Sequence, residues 1–149
     1  MNKTPISLKM ITRIHDAEDE TETVVEEVGS FIEKGNTAVL TFSEWNENQE
    51  KVDSLITIQP EKVNVKRSGA VTMNQQFLTG RETENVYRHE FGTIHMQTTT
   101  DRIFFETPKT DKAGNLFIQY KTILNGEEER EHELTISFQL LGPENEIRG

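Results

Sequence analysis

The groups able to do chemistry in this chain are four histidines (His15, His89, His95, His132), two tyrosines (Tyr87, Tyr120) and a surplus of carboxylates, with no cysteine. Absence of cysteine excludes thiolate chemistry and a disulfide framework, and it fits a reducing, cytoplasmic setting. A metal centre needs three or four converging ligands. His89 and His95 flank Glu90, but the alternation around them directs His89 to the face of Tyr87 and Phe91 and His95 to the opposite face. One ion cannot bridge them. His15 and His132 read as residues on the polar faces of their strands, so no metal site is expected. No G-x-S-x-G elbow, phosphate-binding loop or H-E-x-x-H helix occurs, and no nucleophile–base pair can be assembled from the spacing. The chain reads as not an enzyme, and no cofactor is expected.

A different polar set stands out by position. Glu44 continues the face of Ala38, Leu40 and Phe42, and Arg67 continues that of Val63 and Val65. Gln75 lies between Met73 and Phe77, while Tyr87 and Tyr120 carry hydroxyls into otherwise apolar faces. A buried charge without a partner costs about 3–5 kcal/mol, so Arg67 needs an anion, and Glu44 is expected beside it near one end of the fold. Two readings are open. The pair either fixes strand register, or it anchors the polar end of a ligand, with Glu44, Arg67, Gln75, Tyr87 and Tyr120 as the ligand-binding set. Trp45, the only tryptophan, follows Glu44 and is expected to cap a barrel mouth or pack beside its rim.

The elements that must position these residues are strands. Ile6, Leu8, Met10, Thr12 and Ile14 share one face, and the same period of two recurs in Ala38-Leu40-Phe42, Val71-Met73-Gln75-Phe77, Leu116-Ile118-Tyr120-Thr122-Leu124 and Leu134-Ile136-Phe138-Leu140. This is the signature of strands with one face buried. The stretch from Glu18 to Ile32 is the best helical candidate, but its Thr and Val content favours an extended chain. Asn125-Gly126 between alternating runs is a hairpin signal, since both residues accept positive φ. Lys34-Gly35-Asn36, Ser68-Gly69, the polar stretch Trp45 to Asp53 and Lys112 to Asn115 supply further turns. Changes of apolar parity near Gly29 and Gly92 suggest bulges or bends inside long strands. The Glu127–Glu133 run reads as a charged rim. Successive hairpins imply a meander, and a meander of eight or more strands usually closes on itself. The expectation is all-β: one closed antiparallel meander barrel of about eight to ten strands spanning 1–149.

Composition agrees with that class. The chain has 149 residues, 33% hydrophobic, with 26 acidic against 16 basic side chains and a net charge of −10. A low apolar fraction suits strands that wet one face. The acidic balance opposes phosphate-backbone recognition, so no nucleic-acid partner is expected. No run of about 18 apolar residues suggests a membrane-spanning helix, and the amino terminus lacks the apolar core of a secretory signal.

The segment Arg67-Ser68-Gly69-Ala70-Val71-Thr72-Met73-Asn74-Gln75-Gln76-Phe77-Leu78-Thr79-Gly80, followed by Tyr87, Phe91-Gly92 and Gln97-Thr98-Thr99-Thr100, resembles the YwiB-like family of Gram-positive bacteria. Thr4-Pro5-Ile6 and Leu134-Thr135-Ile136 fit it as well. The resemblance implies a domain of unknown function with a lipocalin-like, or calycin-like, β-barrel, and it brings no catalytic or binding residues with it.

Three functions compete. The first is a non-enzymatic binder of a small apolar or amphipathic molecule inside the barrel, which needs an internal cavity of roughly 300–1,000 Å³. Phe42, Phe77, Met73, Met96, Tyr120 and Phe138 are large enough to fill the lumen instead. The second is a protein-interaction module or homodimeric regulator, hinted at by Phe104-Phe105 and Leu140-Leu141, where one member of each pair must face outward. The third, an enzyme using Glu44, Arg67, Tyr87 or His89 at the mouth, has the least support.

Overall fold

The structure is a computed structural model that describes residues 3–17, 19–109 and 113–141. Ten strands run in chain order: β1 (Thr4–Asp16), β2 (Asp19–Lys34), β3 (Thr37–Trp45), β4 (Lys51–Gln59), β5 (Lys62–Gly69), β6 (Met73–Leu78), β7 (Glu82–His89), β8 (Gly92–Glu106), β9 (Gly114–Leu124) and β10 (Glu129–Leu140). They form one antiparallel sheet in the order β6-β5-β4-β3-β2-β1-β10-β9-β8-β7. No helix occurs among the described residues. Strand β4 shows why the sequence folds this way. Val52, Ser54, Ile56 and Ile58 are buried while Lys51, Asp53 and Leu55 are exposed, so the period of two sorts side chains between lumen and water.

The two end strands of the sheet meet and nearly close the barrel. Thr72 and Arg88 exchange backbone hydrogen bonds of 2.9 and 2.8 Å, and Gly80 N–H donates to Thr100 O at 2.8 Å. Thr100 N–H in turn donates to Arg81 O at 3.2 Å. The ladder between β8 and β9 shifts register between Thr100 and Arg102. This bulge frees the Thr100 backbone at the point where β8 leaves β7 and faces the β6–β7 connection.

The glycine bends expected inside strands take other forms. Gly92 does not bend one long strand; it pairs with His89 across a tight hairpin whose turn is Glu90–Phe91. Nor does parity change at Gly29. The inner row of β2 is Thr23, Val25, Glu27, Gly29 and Phe31, opposite Thr12, Met10, Leu8, Ile6 and Thr4, and Val24 and Val28 lie exposed outside. The adjacent Val24-Val25 pair offers an apolar side chain to each face, and it is Val25, opposite Met10, that belongs to the inner row. Gly29 is required because a Cβ there would strike the Thr41 carbonyl oxygen. Asn125 and Gly126 both have positive φ, at 51° and 71°, as the hairpin signal requires. The polar connection after β3 is shorter than expected, from Asn46 to Glu50. Of the Lys112–Asn115 turn and the Glu18–Ile32 segment, Lys112 and Glu18 lie outside the described residues.

Strand β2 pairs with β1 from Asp19 to Phe31 but with β3 only from Gly29 to Lys34. The edge of β2 from Asp19 to Val28 therefore faces no strand among the described residues, and the sheet forks there.

One end of the lumen is packed solid. Ile6, Leu40, Ile58, Val63, Leu116, Ile136 and Phe138 belong to a single buried cluster, and the Phe31 and Phe138 rings lie 5.1 Å apart. Phe138 sits opposite Gly114, and its ring occupies the space a Cβ on Gly114 would need. Because Phe138 is itself enclosed, Gly114→Ala must displace a core ring. The expected cost is about 1–3 kcal/mol, the usual penalty for overpacking, measured by urea unfolding against the parent protein.

Candidate functional site

The other end of the lumen is open. A cavity of about 360 Å³ lies there, walled by apolar residues including Met10, Ile14, Val25, Ile56, Val65 and Met73. At roughly 30 Å³ per molecule it has the volume of about twelve waters. Glu44, Arg67, Gln75, Tyr87 and Tyr120 all line it, so the five residues singled out from parity share one space. Of the large residues that were able to fill the lumen, Phe42, Phe77, Met73, Met96 and Tyr120 form the cavity wall, while Phe138 belongs to the packed end.

Each polar side chain arrives from a different strand. Glu44 ends the inner row of β3 and Arg67 that of β5, two strands either side of β4. Arg67 Nη2 lies 3.6 Å from Glu44 Oε2, and both side chains are partly buried. This is the expected approach at one barrel end. A single long contact engages few of the five guanidinium donors, which leaves Arg67 able to take a second acceptor. Gln75 is buried; its Nε2 donates to Thr98 Oγ1 at 2.9 Å and approaches Met96 Sδ at 3.2 Å. These contacts reach from β6 to β8 and so tie the barrel's seam from within. Tyr87 stands in the inner row of β7, its ring 5.2 Å from that of His89.

Tyr120 is buried on β9, edge-on to Phe77 at 4.7 Å. Burial pushes its hydroxyl pKa up, so it keeps its proton and stays a hydrogen-bond donor across the physiological range.

The structure adds one residue and corrects one reading. His132 does not sit on a polar outer face. It lies in the inner row of β10 with Leu134, Ile136 and Phe138, opposite Ile14 and Tyr120, and it lines the cavity. Its ring stacks on Tyr120 at 4.7 Å with planes 9° apart, and its Nε2 is 2.7 Å from Thr122 Oγ1. The parity of Leu134-Ile136-Phe138 already pointed to it; the acidic run from Glu127 to Glu133 hid the signal. His15 and His95 do face outward, 3.8 Å from Glu20 and 4.0 Å from Glu84. Among the described residues no group of His, Asp and Glu is placed to hold a metal ion.

Burial, helped by the nearby Arg130 charge, pushes the His132 imidazole down to about 4. The lining is thus electrically simple, with one loose ion pair and neutral donors and acceptors around it. This is an internal-cavity β-barrel whose polar groups gather at one end.

The sequence profile of a domain of unknown function, DUF1934, matches residues 6–136, and the chain belongs to that family. The uncharacterized beta-barrel protein YwiB of Bacillus subtilis (strain 168) is 32% identical over 139 residues, which is 92% of this chain and 94% of YwiB. The crystal structure of the YwiB protein from Bacillus subtilis matches with a TM-score of 0.82 at 28% identity, covering 94% of each chain. The family resemblance and the all-β barrel read from the sequence both hold.

The shift at His132 links stability to pH. Its folded pKa, about 4, lies below the ordinary 6.5, so between those values the unfolded chain binds the extra proton. The stabilisation from the neutral ring is complete above about pH 6.5 and is lost as pH falls toward 4. Part of the ring still meets solvent, which limits the effect to on the order of 1–3 kcal/mol. His132→Gln should lose correspondingly less stability between pH 7 and pH 4.5 than the parent, as read by urea unfolding at the two values. Equal losses would show that the ring titrates normally.

Proposed function

We propose that the protein is a non-enzymatic carrier or sensor that holds one small amphipathic molecule in the open half of the barrel. The observation that carries this reading is the convergence of Glu44, Arg67, Gln75, Tyr87, Tyr120 and His132 on a cavity otherwise walled by apolar side chains. Ligand sites are commonly of this kind, mostly apolar with a few polar groups that fix orientation. The cavity lies at the small end of the usual range, which favours a compact molecule. A protonated Tyr120 hydroxyl and the under-used Arg67 guanidinium suit an acceptor-bearing polar end. A lipocalin- or calycin-like barrel offers the same kind of lumen, but fold alone does not fix function; the polar lining is the stronger support. Lys9, Arg13, Glu22 and Glu26 stand on the outer face, unlike the apolar band of a lipid-facing barrel, and a cysteine-free acidic chain fits a cytoplasmic location.

Native mass spectrometry of the protein recovered from its own host tests the reading. The expected result is a bound small molecule that is absent from Val65→Phe, a change that fills the cavity and leaves the thermal midpoint unchanged or raised. A parent protein without added mass, or a Val65→Phe protein that keeps it, overturns the reading.

A second reading, a homodimer, is favoured by one outer feature. Phe104, Phe117, Thr135, Ile11 and Val24 are successive direct partners across β8, β9, β10, β1 and β2. They make a stripe about 19 Å long at roughly 4.8 Å per strand, with Phe104 and Val24 each 48% exposed at its ends. One flanking row runs Arg102, Gln119, Glu133, Arg13 and Glu22. A two-fold axis parallel to the strands would bring Arg102 of one copy to Glu22 of the other. Light scattering after size exclusion should then give a dimer that Phe104→Glu converts to a monomer. A monomeric parent protein removes this reading.

A further inference from the structure

Outside the cavity, the same end of the barrel carries a second recess of different composition. Strand β3 ends on Trp45, the Asn46–Glu50 loop follows it, and the β7–β8 turn rises beside them at Glu90 and Phe91. Together with Ala70 and Val71 they wall a groove of about 540 Å³. Tyr87 is the wall it shares with the cavity.

Four rings line this groove: Trp45, Tyr87, His89 and Phe91. The last three form a ladder, with His89 5.2 Å from Tyr87 and 6.0 Å from Phe91. Phe91 N–H donates to His89 Nδ1 at 3.2 Å, which pins the middle ring. Phe91 is 87% and Trp45 58% exposed, so two large aromatic side chains stand in water on either side of one recess. Three carboxylates, Glu47, Glu50 and Glu90, share the lining, and no lysine or arginine does. The loop that bears two of them is held in shape by Asn46, whose Oδ1 accepts from the backbone N–H of Asn48 and of Glu50, each at 2.9 Å.

Ring faces are electronegative, and so are the carboxylates. An anion is repelled here. A neutral apolar molecule would draw the carboxylates out of water with nothing in return, and a metal ion would need converging oxygens that the described residues do not supply. What fits is a cation that is weakly hydrated and carries an apolar surface for the rings. We propose that this groove binds a small quaternary ammonium compound, its methyl groups against Trp45 and Phe91 and its charge balanced by Glu47, Glu50 and Glu90. The proposal is independent of the cavity reading, because Phe91 and the three carboxylates take no part in the cavity.

Trp45 is the only tryptophan, so intrinsic fluorescence reads this groove directly, and the methyl protons of the probe give a second readout by saturation-transfer NMR. The probes are choline, its neutral isostere 3,3-dimethylbutan-1-ol, and ethanolamine, which keeps the charge without the methyls. Choline should bind saturably, at least about fivefold tighter than either control, and Phe91→Ala should weaken it by about fivefold. Phe91 is exposed, so the thermal midpoint of that variant should match the parent. A neutral isostere equal to choline, ethanolamine equal to choline, unaltered binding in Phe91→Ala, or no response to choline in either readout overturns the proposal. A protein emptied of any cavity ligand should give the same choline binding, which separates this test from that of the cavity.

Discussion

A ring of ten strands encloses a lumen whose width is fixed by strand number and tilt, and every inward side chain must answer to that width. At one end the answer is a set of buried rings and branched chains, Phe31, Phe138, Leu116 and Ile136 among them. At the other end the same rows continue with residues that do not fill the space. Along β1 the row runs from Ile6 and Leu8 to Thr12 and Ile14; along β3, from Ala38 to Glu44; along β5, from Val63 to Arg67. Strands β6 and β10 run the other way, so there the polar residues come first: Gln75 before Phe77, and His132 before Phe138. The gradient from apolar to polar is written forward in β1, β3 and β5 and backward in β6 and β10, and folding the meander superimposes them.

The polar end stays compatible with a stable barrel because little net charge is placed in it. Tyr120 and His132 are held neutral by burial, and they satisfy each other's faces by stacking. Glu44 and Arg67 offset each other at the rim, where solvent still reaches both. Gln75 serves the sheet and the cavity together: its amide nitrogen bridges toward β8, and its carbonyl oxygen keeps its capacity to accept. An unpaired ion deep in the lumen would have cost far more.

Much of this was legible from alternation alone. The inner rows of β1, β3, β5, β6, β9 and β10, the Asn125-Gly126 hairpin and the Glu44–Arg67 approach all follow from a period of two and from the need of a buried guanidinium for an anion. What failed did so where local sequence carries two signals at once. Val24-Val25 offers an apolar residue to each face, and only the pairing with β1 decides which is inside. Around Gly92, a turn of two residues looked like a flip of parity within one strand. At His132, neighbouring charges outweighed a parity that was already correct. The recess at Trp45 and Phe91 was beyond reach, since residues 45 and 91 meet only through the three-dimensional closure of the barrel.

The order of strands has a kinetic meaning. Strands β1 to β6 and β7 to β10 are each a chain of neighbouring hairpins, which form quickly because their partners are near in sequence. The two halves are welded by β1 against β10, a ladder of ten partners from Ile6–Leu140 to His15–Glu131. The junction of β6 and β7, although adjacent in sequence, has only isolated bridges. The most distant residues thus share one of the barrel's longest ladders and the nearest halves its slightest. Ring closure at β1–β10 bears the loop entropy of almost the whole chain, so the lumen exists only once the two distant halves have met.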